Sequence, residues 1–170
     1  MIDRMTQRGL LLTLLFTAAC GGGLGADTPT FLEGEEPSVP DDFEKVETPC
    51  PFHFYAPPTI KGLSVQGIDS CVARYTLNDC ELNADYGAFS DRLDGHESEL
   101  DYEGNEPTVD GRPAKLIRFR SEADQYFIGL HLPIFEDDPW SISLTLSASC
   151  ASVESRDELS AVLLSVVVDE

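Results

Sequence analysis

The feature that most constrains the fold is a strict alternation of residue types over residues 140–150, "WSISLTLSASC". One set of alternate positions is apolar, namely Ile142, Leu144, Leu146, Ala148 and Cys150. This period of two predicts a strand with one face in the core. The same parity recurs upstream at Tyr126, Ile128, Leu130 and Leu132, and in a shorter run at Ile117 and Phe119. Residues 121–125 suit a hairpin connection, so a three-stranded antiparallel meander is expected.

A second hairpin is predicted over residues 71–87, with Asn78 and Asp79 supplying the turn. If Leu77 lies opposite Cys80, Cys71 and Cys80 are separated along the ladder by on the order of 20 Å. A disulfide requires Cα atoms within about 7 Å, which excludes that pair. Two connectivities remain open: Cys50–Cys71 with Cys80–Cys150, or Cys50–Cys80 with Cys71–Cys150.

The C-terminal residues carry a helical pattern. Ser155 and Glu158 fit a capping box, and the residues after them place Leu159, Val162, Leu163 and Val166 on one stripe. We therefore expect a helix that covers one face of the sheet. The valines at 166–168 are an alternative short terminal strand, because β-branched residues are stiff in helices.

The N-terminal residues resemble an export signal. Arg4 and Arg8 precede an apolar run over residues 9–19, which is shorter than the roughly 20 residues that span a bilayer. Cys20 follows two alanines, an arrangement similar to the lipobox of bacterial lipoproteins, although Thr17 departs from that motif. The resemblance implies a signal peptide over residues 1–19 and acylation of Cys20, as by palmitate. The alternatives are an ordinary signal peptide that leaves Cys20 free or disulfide-bonded, or a buried helix.

Composition divides the rest of the chain in two. Residues 20–48 are rich in glycine, proline and carboxylates with almost no periodic apolar positions, which predicts a disordered acidic tether. Residues 49–170 are long enough for one globular domain. The chain carries a net charge of −20. Such a charge disfavours nucleic-acid binding and leaves acyl chains as the expected membrane contact.

Several phrases together resemble a known fold family. "GIDSCVARYTLNDCELNADYGAFSD", "VDGRPAKLIRF", "SISLTLSASC" and "ELSAVLLSVVV" follow one another in an order similar to uncharacterised bacterial lipoproteins of the PsbP/Mog1-like (DcrB-like) type. The resemblance implies an α+β fold, an antiparallel sheet packed with helices as a sandwich. It also implies a binding or accessory role rather than catalysis.

Candidate catalytic groups are sparse. His53, His96 and His131 are far apart in sequence, and His131 is expected on the solvated face of its strand. Ser70 lies in "GIDSC", which lacks the G-x-S-x-G nucleophile elbow. We therefore predict no catalytic residue and no cofactor. Asp69 and Asp85 flank the first hairpin and are expected to bond backbone amides at its ends.

Calcium is the chemical alternative. Residues 91–106 concentrate carboxylates around two glycines, and hard oxygen ligands on a loop suit Ca²⁺. The spacing misses the EF-hand pattern, so a solvated charged loop is favoured over a metal site. The candidate ligands are Asp91, Asp94, Glu97, Glu99 and Asp101, with Glu103 and Glu106 beyond them.

The leading hypothesis is a lipid-anchored, non-catalytic protein of the bacterial cell envelope that binds another envelope protein or a small ligand. Gly21 replaces the aspartate that retains some lipoproteins at the inner membrane, which favours the outer membrane. The alternatives are a secreted hydrolase with an unrecognised site and a Ca²⁺-stabilised surface module.

Overall fold

The structure is a computed structural model that describes residues 38–135 and 141–169. It contains one twelve-residue helix, α1 (Val153–Leu164), among many strands. The strands are β1 (Glu44–Glu47), β2 (Phe52–Ala56), β3 (Lys61–Leu63), β4 (Cys71–Leu77), β5 (Cys80–Gly87), β6 (Leu100–Asn105), β7 (Thr108–Val109), β8 (Arg112–Pro113), β9 (Lys115–Arg120), β10 (Tyr126–Phe135), β11 (Ile142–Cys150) and β12 (Val167–Val168).

A seven-stranded antiparallel sheet dominates the molecule, in the order β3-β4-β5-β11-β10-β9-β6. A second sheet has the order β1-β2-β12, and β7 pairs with β8 as a small hairpin. The predicted α+β sandwich, with helices packed on a sheet, is therefore wrong, because only α1 is helical among the described residues. A second, three-stranded sheet stands where further helices were expected.

The predicted strands of the large sheet are confirmed. β9, β10 and β11 form the antiparallel meander, and Ser121 donates its amide to Gln125 O at the predicted connection. β4 and β5 form the first hairpin with Leu77 opposite Cys80. Asn78 takes a positive φ of 52° at the turn, a conformation that asparagine tolerates better than most residues.

One face of the large sheet, here called the inner face, holds the main core. The alternating residues of β4, β5, β10 and β11 point to this face, and α1 packs on β10 and β11. Phe52, Phe54 and Ala56 of β2 are fully buried against the same core, where Phe54 meets Tyr75 edge-on at 5.1 Å. Burial of these side chains supplies the main favourable term for folding.

The C-terminal segment follows one of the two predicted alternatives. Leu159, Val162 and Leu163 are fully buried on one stripe of α1, as predicted, but the chain leaves the helix after Leu164 and forms β12 against β2. The predicted capping box is wrong by one turn. Ser152, not Ser155, is the N-cap, and its Oγ accepts the Ser155 amide at 3.3 Å.

A strand is also formed before residue 49, the predicted start of the globular domain. Strand β1 lies inside the range assigned to the tether, and it pairs with β2 from Glu44 opposite Ala56 to Glu47 opposite His53. Three of its four side chains are exposed, so backbone hydrogen bonds to β2 hold it in place together with one partly buried side chain, Val46, which packs against the core. That explains why composition alone did not reveal this strand.

Two disulfides cross-link the domain, one between the chain before β2 and the start of β4 and the other within the large sheet. Cys50 bonds Cys71 with Cα atoms 5.6 Å apart, and Cys80 bonds Cys150 across paired positions of β5 and β11. This is the first of the two connectivities left open by the sequence, and the excluded Cys71–Cys80 pair is indeed absent. Cys20, the predicted acylation site, and the signal peptide lie outside the described residues.

Candidate functional site

The opposite face of the large sheet, the outer face, is covered at one end by the chain itself. Residues 88–99, here called the covering segment, cross over β9 and β10. Leu93 is buried against Ile117 and Phe119, and the rings of His96, Phe119 and Phe127 stack in sequence. Ile117 and Phe119 thus belong to a second small core rather than to the main one.

Side-chain hydrogen bonds fix the covering segment at its start. The hydroxyl of Ser90 lies within 3.1 Å of the carbonyl oxygens of Asp85, Gly87 and Ser143. Thr145 donates its hydroxyl to Asp91 O at 2.6 Å. Since that hydrogen is used, Thr145 Oγ1 is left to accept from Nδ1 of His131, 3.0 Å away.

His131 is half-buried, so the prediction of a solvated histidine is wrong. The alternation in β10 correctly indicated that His131 points away from the main core, but the covering segment then shields that face. Burial lowers the pKa of His131, and the neighbouring Asp91 carbonyl opposes this shift.

The proposed calcium ligands do not converge. Lys115 Nζ lies 2.7 Å from Asp94, Arg120 Nε lies 3.2 Å from Asp101, and Asp91 accepts the Leu93 amide. Lys115 lowers the pKa of Asp94. Cationic side chains of β9 thus neutralise carboxylates of this loop. In the described parts of the chain the one metal-like grouping is Asp79 with Cys80 and Cys150, whose sulfurs are already joined.

The other end of the outer face is open and forms a groove of about 520 Å³. Its floor is the outward side of the β4–β5 hairpin, including Val72, Arg74, Asn83 and Asp85. Its walls are residues 65–70, within a segment 64–70 here called the groove loop, and Phe89 at the start of the covering segment. The volume falls within the range typical of small-ligand pockets.

Two glycines set the width of the groove. A Cβ atom on Gly67 would lie 2.2 Å from Ser70 O, and one on Gly87 would lie 2.8 Å from Ser70 Cβ. The first contact would be with backbone inside the groove loop, so Gly67 permits the tight path of the loop, whereas Gly87 permits Ser70 of the loop to lie this close to β5. The Cys50–Cys71 disulfide fixes the residue immediately after the loop.

The groove has an apolar rim. Ile68 is 96% exposed and Phe89 is 74% exposed, and Val65 adds a third apolar side chain. Scattered exposed apolar residues are common, but several around one concave site are typical of an interaction surface. All of the lining residues fall within residues 65–89, but sequence reasoning missed this site because they show no motif and because the path of the groove loop was not predicted.

The polar residues of the groove differ in whether they have hydrogen-bond or ion-pair partners. Arg74 Nε bonds Asn83 Oδ1 at 2.8 Å and lies 3.3 Å from Glu81, so its charge is compensated. Asp85 is half-buried, and its Oδ1 is buried without a hydrogen-bond partner. The amide bonds predicted for Asp69 and Asp85 are not observed among the described residues. A buried unpaired polar atom is uncommon and calls for an explanation.

Of the residues considered as candidate catalytic groups in the sequence, the groove contains only Ser70 among its described lining. Ser70 lines it, but its described lining contains neither histidine nor cysteine. His53 does bond a carboxylate, Asp169, at 2.8 Å, but that pair joins β2 to the end of β12, and Asp169 is largely solvated.

Among the described residues, no helix has the length and apolar character that a membrane span requires. Neither the protein-family models nor the curated proteins contain a match to this chain.

Proposed function

We propose that this protein is a non-catalytic binding module of the bacterial cell envelope and that it binds its partner in the groove on the outer face of β4 and β5. The observation that carries the proposal is the combination of an exposed apolar rim with two carboxylates, Asp69 and Asp85, in a lining whose arginine is already paired. Apolar contact supplies affinity and a few placed polar groups supply orientation in sites of this kind.

The second part of the proposal is attachment to a membrane through acyl chains on Cys20. It is supported by the residues around Cys20 and by the two disulfides, since disulfides persist in exported proteins. The acidic residues that precede β1 would hold the groove away from anionic headgroups, because like charges repel.

The groove is tested by site-specific photo-crosslinking in the organism that produces the chain. Benzoylphenylalanine replaces Phe89 at the rim in one variant and Phe135 in a matched control, since both aromatic rings are exposed but only Phe89 borders the groove. We expect a discrete adduct from position 89 alone. Equal adducts from both positions, or none from position 89, would contradict the groove as the binding site.

The anchor is tested by the intact mass of protein recovered from membranes, compared with a Cys20→Ser variant. We expect a mature chain that begins at Cys20 and carries acyl chains, and a Cys20→Ser chain that is not acylated. Four thiols should appear only after reduction. A wild-type chain without lipid would remove the anchor and leave the groove proposal standing.

A further inference from the structure

The groove has an imbalance of charge. Two carboxylates, Asp69 and Asp85, line it, and Arg74 is the cation among its lining residues. Because Arg74 already contacts Asn83 and Glu81, it does not compensate Asp85. The groove therefore presents uncompensated negative charge beneath an apolar rim.

The sheet itself offers Asp85 no donor. Its cross-strand neighbours are Val72 on β4 and Thr145 on β11. Valine has no polar group, and the Thr145 hydroxyl donates to Asp91 O. A carboxylate held in a partly buried site without donors is stabilised by a cation brought from outside, and charge-assisted hydrogen bonds are the stronger ones.

From this geometry we propose that the groove receives an arginine or lysine side chain of a partner polypeptide, whose adjacent apolar side chains cover Val65, Ile68 and Phe89. This inference rests on the proposed function of the groove and adds the chemistry of its partner. The cationic group pairs with Asp85, and the apolar neighbours exclude water from that pair.

Charge complementarity favours this occupant over two others. The chain has a net charge of −20, so a second copy of it and a surface of anionic lipids are both repelled. A basic segment is attracted instead. In an extended segment every second side chain faces the same way, so an apolar–x–basic–x–apolar sequence matches a charged floor between apolar walls.

The test uses two short peptides of equal shape. The first is acetyl-Leu-Ser-Arg-Ser-Leu-amide, and the second carries citrulline, the uncharged isostere of arginine, at its centre. Each is titrated by calorimetry into protein purified from the producing cells. We expect the arginine peptide to bind at least tenfold more tightly than the citrulline peptide.

Variants locate the source of that preference. Asp85→Asn should reduce the ratio of the two affinities to near one, with Asp69→Asn having a smaller effect. Glu122→Gln is the matched control, because it removes the same charge from an exposed residue of the β9–β10 connection. It should leave the ratio unchanged. Unfolding midpoints of all variants verify that each is folded.

The outcomes separate this inference from the function on which it rests. If both peptides bind equally and Ile68→Ser weakens both, the groove binds ligands but not by charge, and the inference is overturned alone. If neither peptide binds, the inference is also overturned, and crosslinking from position 89 decides the groove proposal. A dimer in analytical ultracentrifugation that Ile68→Ser dissociates would assign the groove to a second copy and overturn the inference.

Discussion

The two ends of the outer face differ in whether their apolar side chains are covered by the chain itself. Over β9 and β10 the covering segment buries Leu93 and the aromatic stack, and nearby carboxylates contact lysine and arginine of β9. Over β4 and β5 the apolar rim is exposed and Asp85 lacks a partner. The outer face is thus covered by the chain's own residues at the first end and exposed at the second, which is the end where we propose that a partner binds.

Removal of either disulfide is expected to have the largest effect on stability, and only the Cys50–Cys71 disulfide adjoins the groove loop. Removing Cys80–Cys150, by substituting both residues with alanine, opens a loop of 70 residues and is expected to cost about 4 kcal/mol of unfolding free energy. Removing Cys50–Cys71 opens a loop of 21 residues and should cost about 3 kcal/mol. Denaturant unfolding measures both.

The sharper readout of the same variants is ligand binding. Loss of Cys50–Cys71 should also weaken peptide binding, because that disulfide holds the end of the groove loop. Loss of Cys80–Cys150 should spare binding under conditions where the variant remains folded. Equal effects of both variants on binding would show that the groove loop does not depend on its disulfide.

Truncating one apolar side chain at each end compares them directly. Leu93→Ala removes a buried side chain from the covered end and is expected to cost about 3 kcal/mol, since a cavity remains. Ile68→Ala removes a side chain that is already in water and should change stability by less than about 0.5 kcal/mol. Thermal and denaturant unfolding check both values. A comparable cost for Ile68→Ala would mean that the rim has a structural role.

The smallest expected effect is a pH dependence of the unfolding free energy that arises from His131 at the covered end. Burial lowers the pKa of His131 in the folded state, so the unfolded chain binds the proton more readily. Stability should therefore fall as pH decreases below the unfolded pKa of about 6.5. His131→Gln should flatten this slope between pH 7.5 and pH 5.5. An unchanged slope in His131→Gln would place the dependence on another group.

Sequence reasoning succeeded where local periodicity and geometry decide the structure. The alternation in β11 and the turn at Asn78 and Asp79 predicted five strands of the large sheet and limited the disulfides to two patterns. It failed where the structure depends on distant contacts. Strand β1 gains its place from β2 rather than from its own residues, and the helix-rich sandwich was inferred from an order of short phrases that does not determine packing.

The candidate site was less predictable, because its side-chain contacts follow from the fold and not from a motif. The loop carboxylates drew attention as calcium ligands because they cluster in sequence, yet β9 supplies cations to Asp94 and Asp101. The groove instead unites the predicted β4–β5 hairpin with the groove loop and Phe89, and neither the loop nor Phe89 shows a pattern in the sequence. Asp85 has an ordinary sequence environment, and only the fold reveals that its Oδ1 lacks a donor.

The position of the Cys50–Cys71 disulfide links formation of the groove to oxidation of the newly made chain. Cys71 begins β4 directly after the groove loop, and its bond to Cys50 ties that loop to the chain entering β2. With both residues reduced, the wall of the groove loses this anchor. Under the proposed function we therefore expect a newly made chain with reduced thiols to bind its partner weakly, and to gain affinity when this disulfide forms.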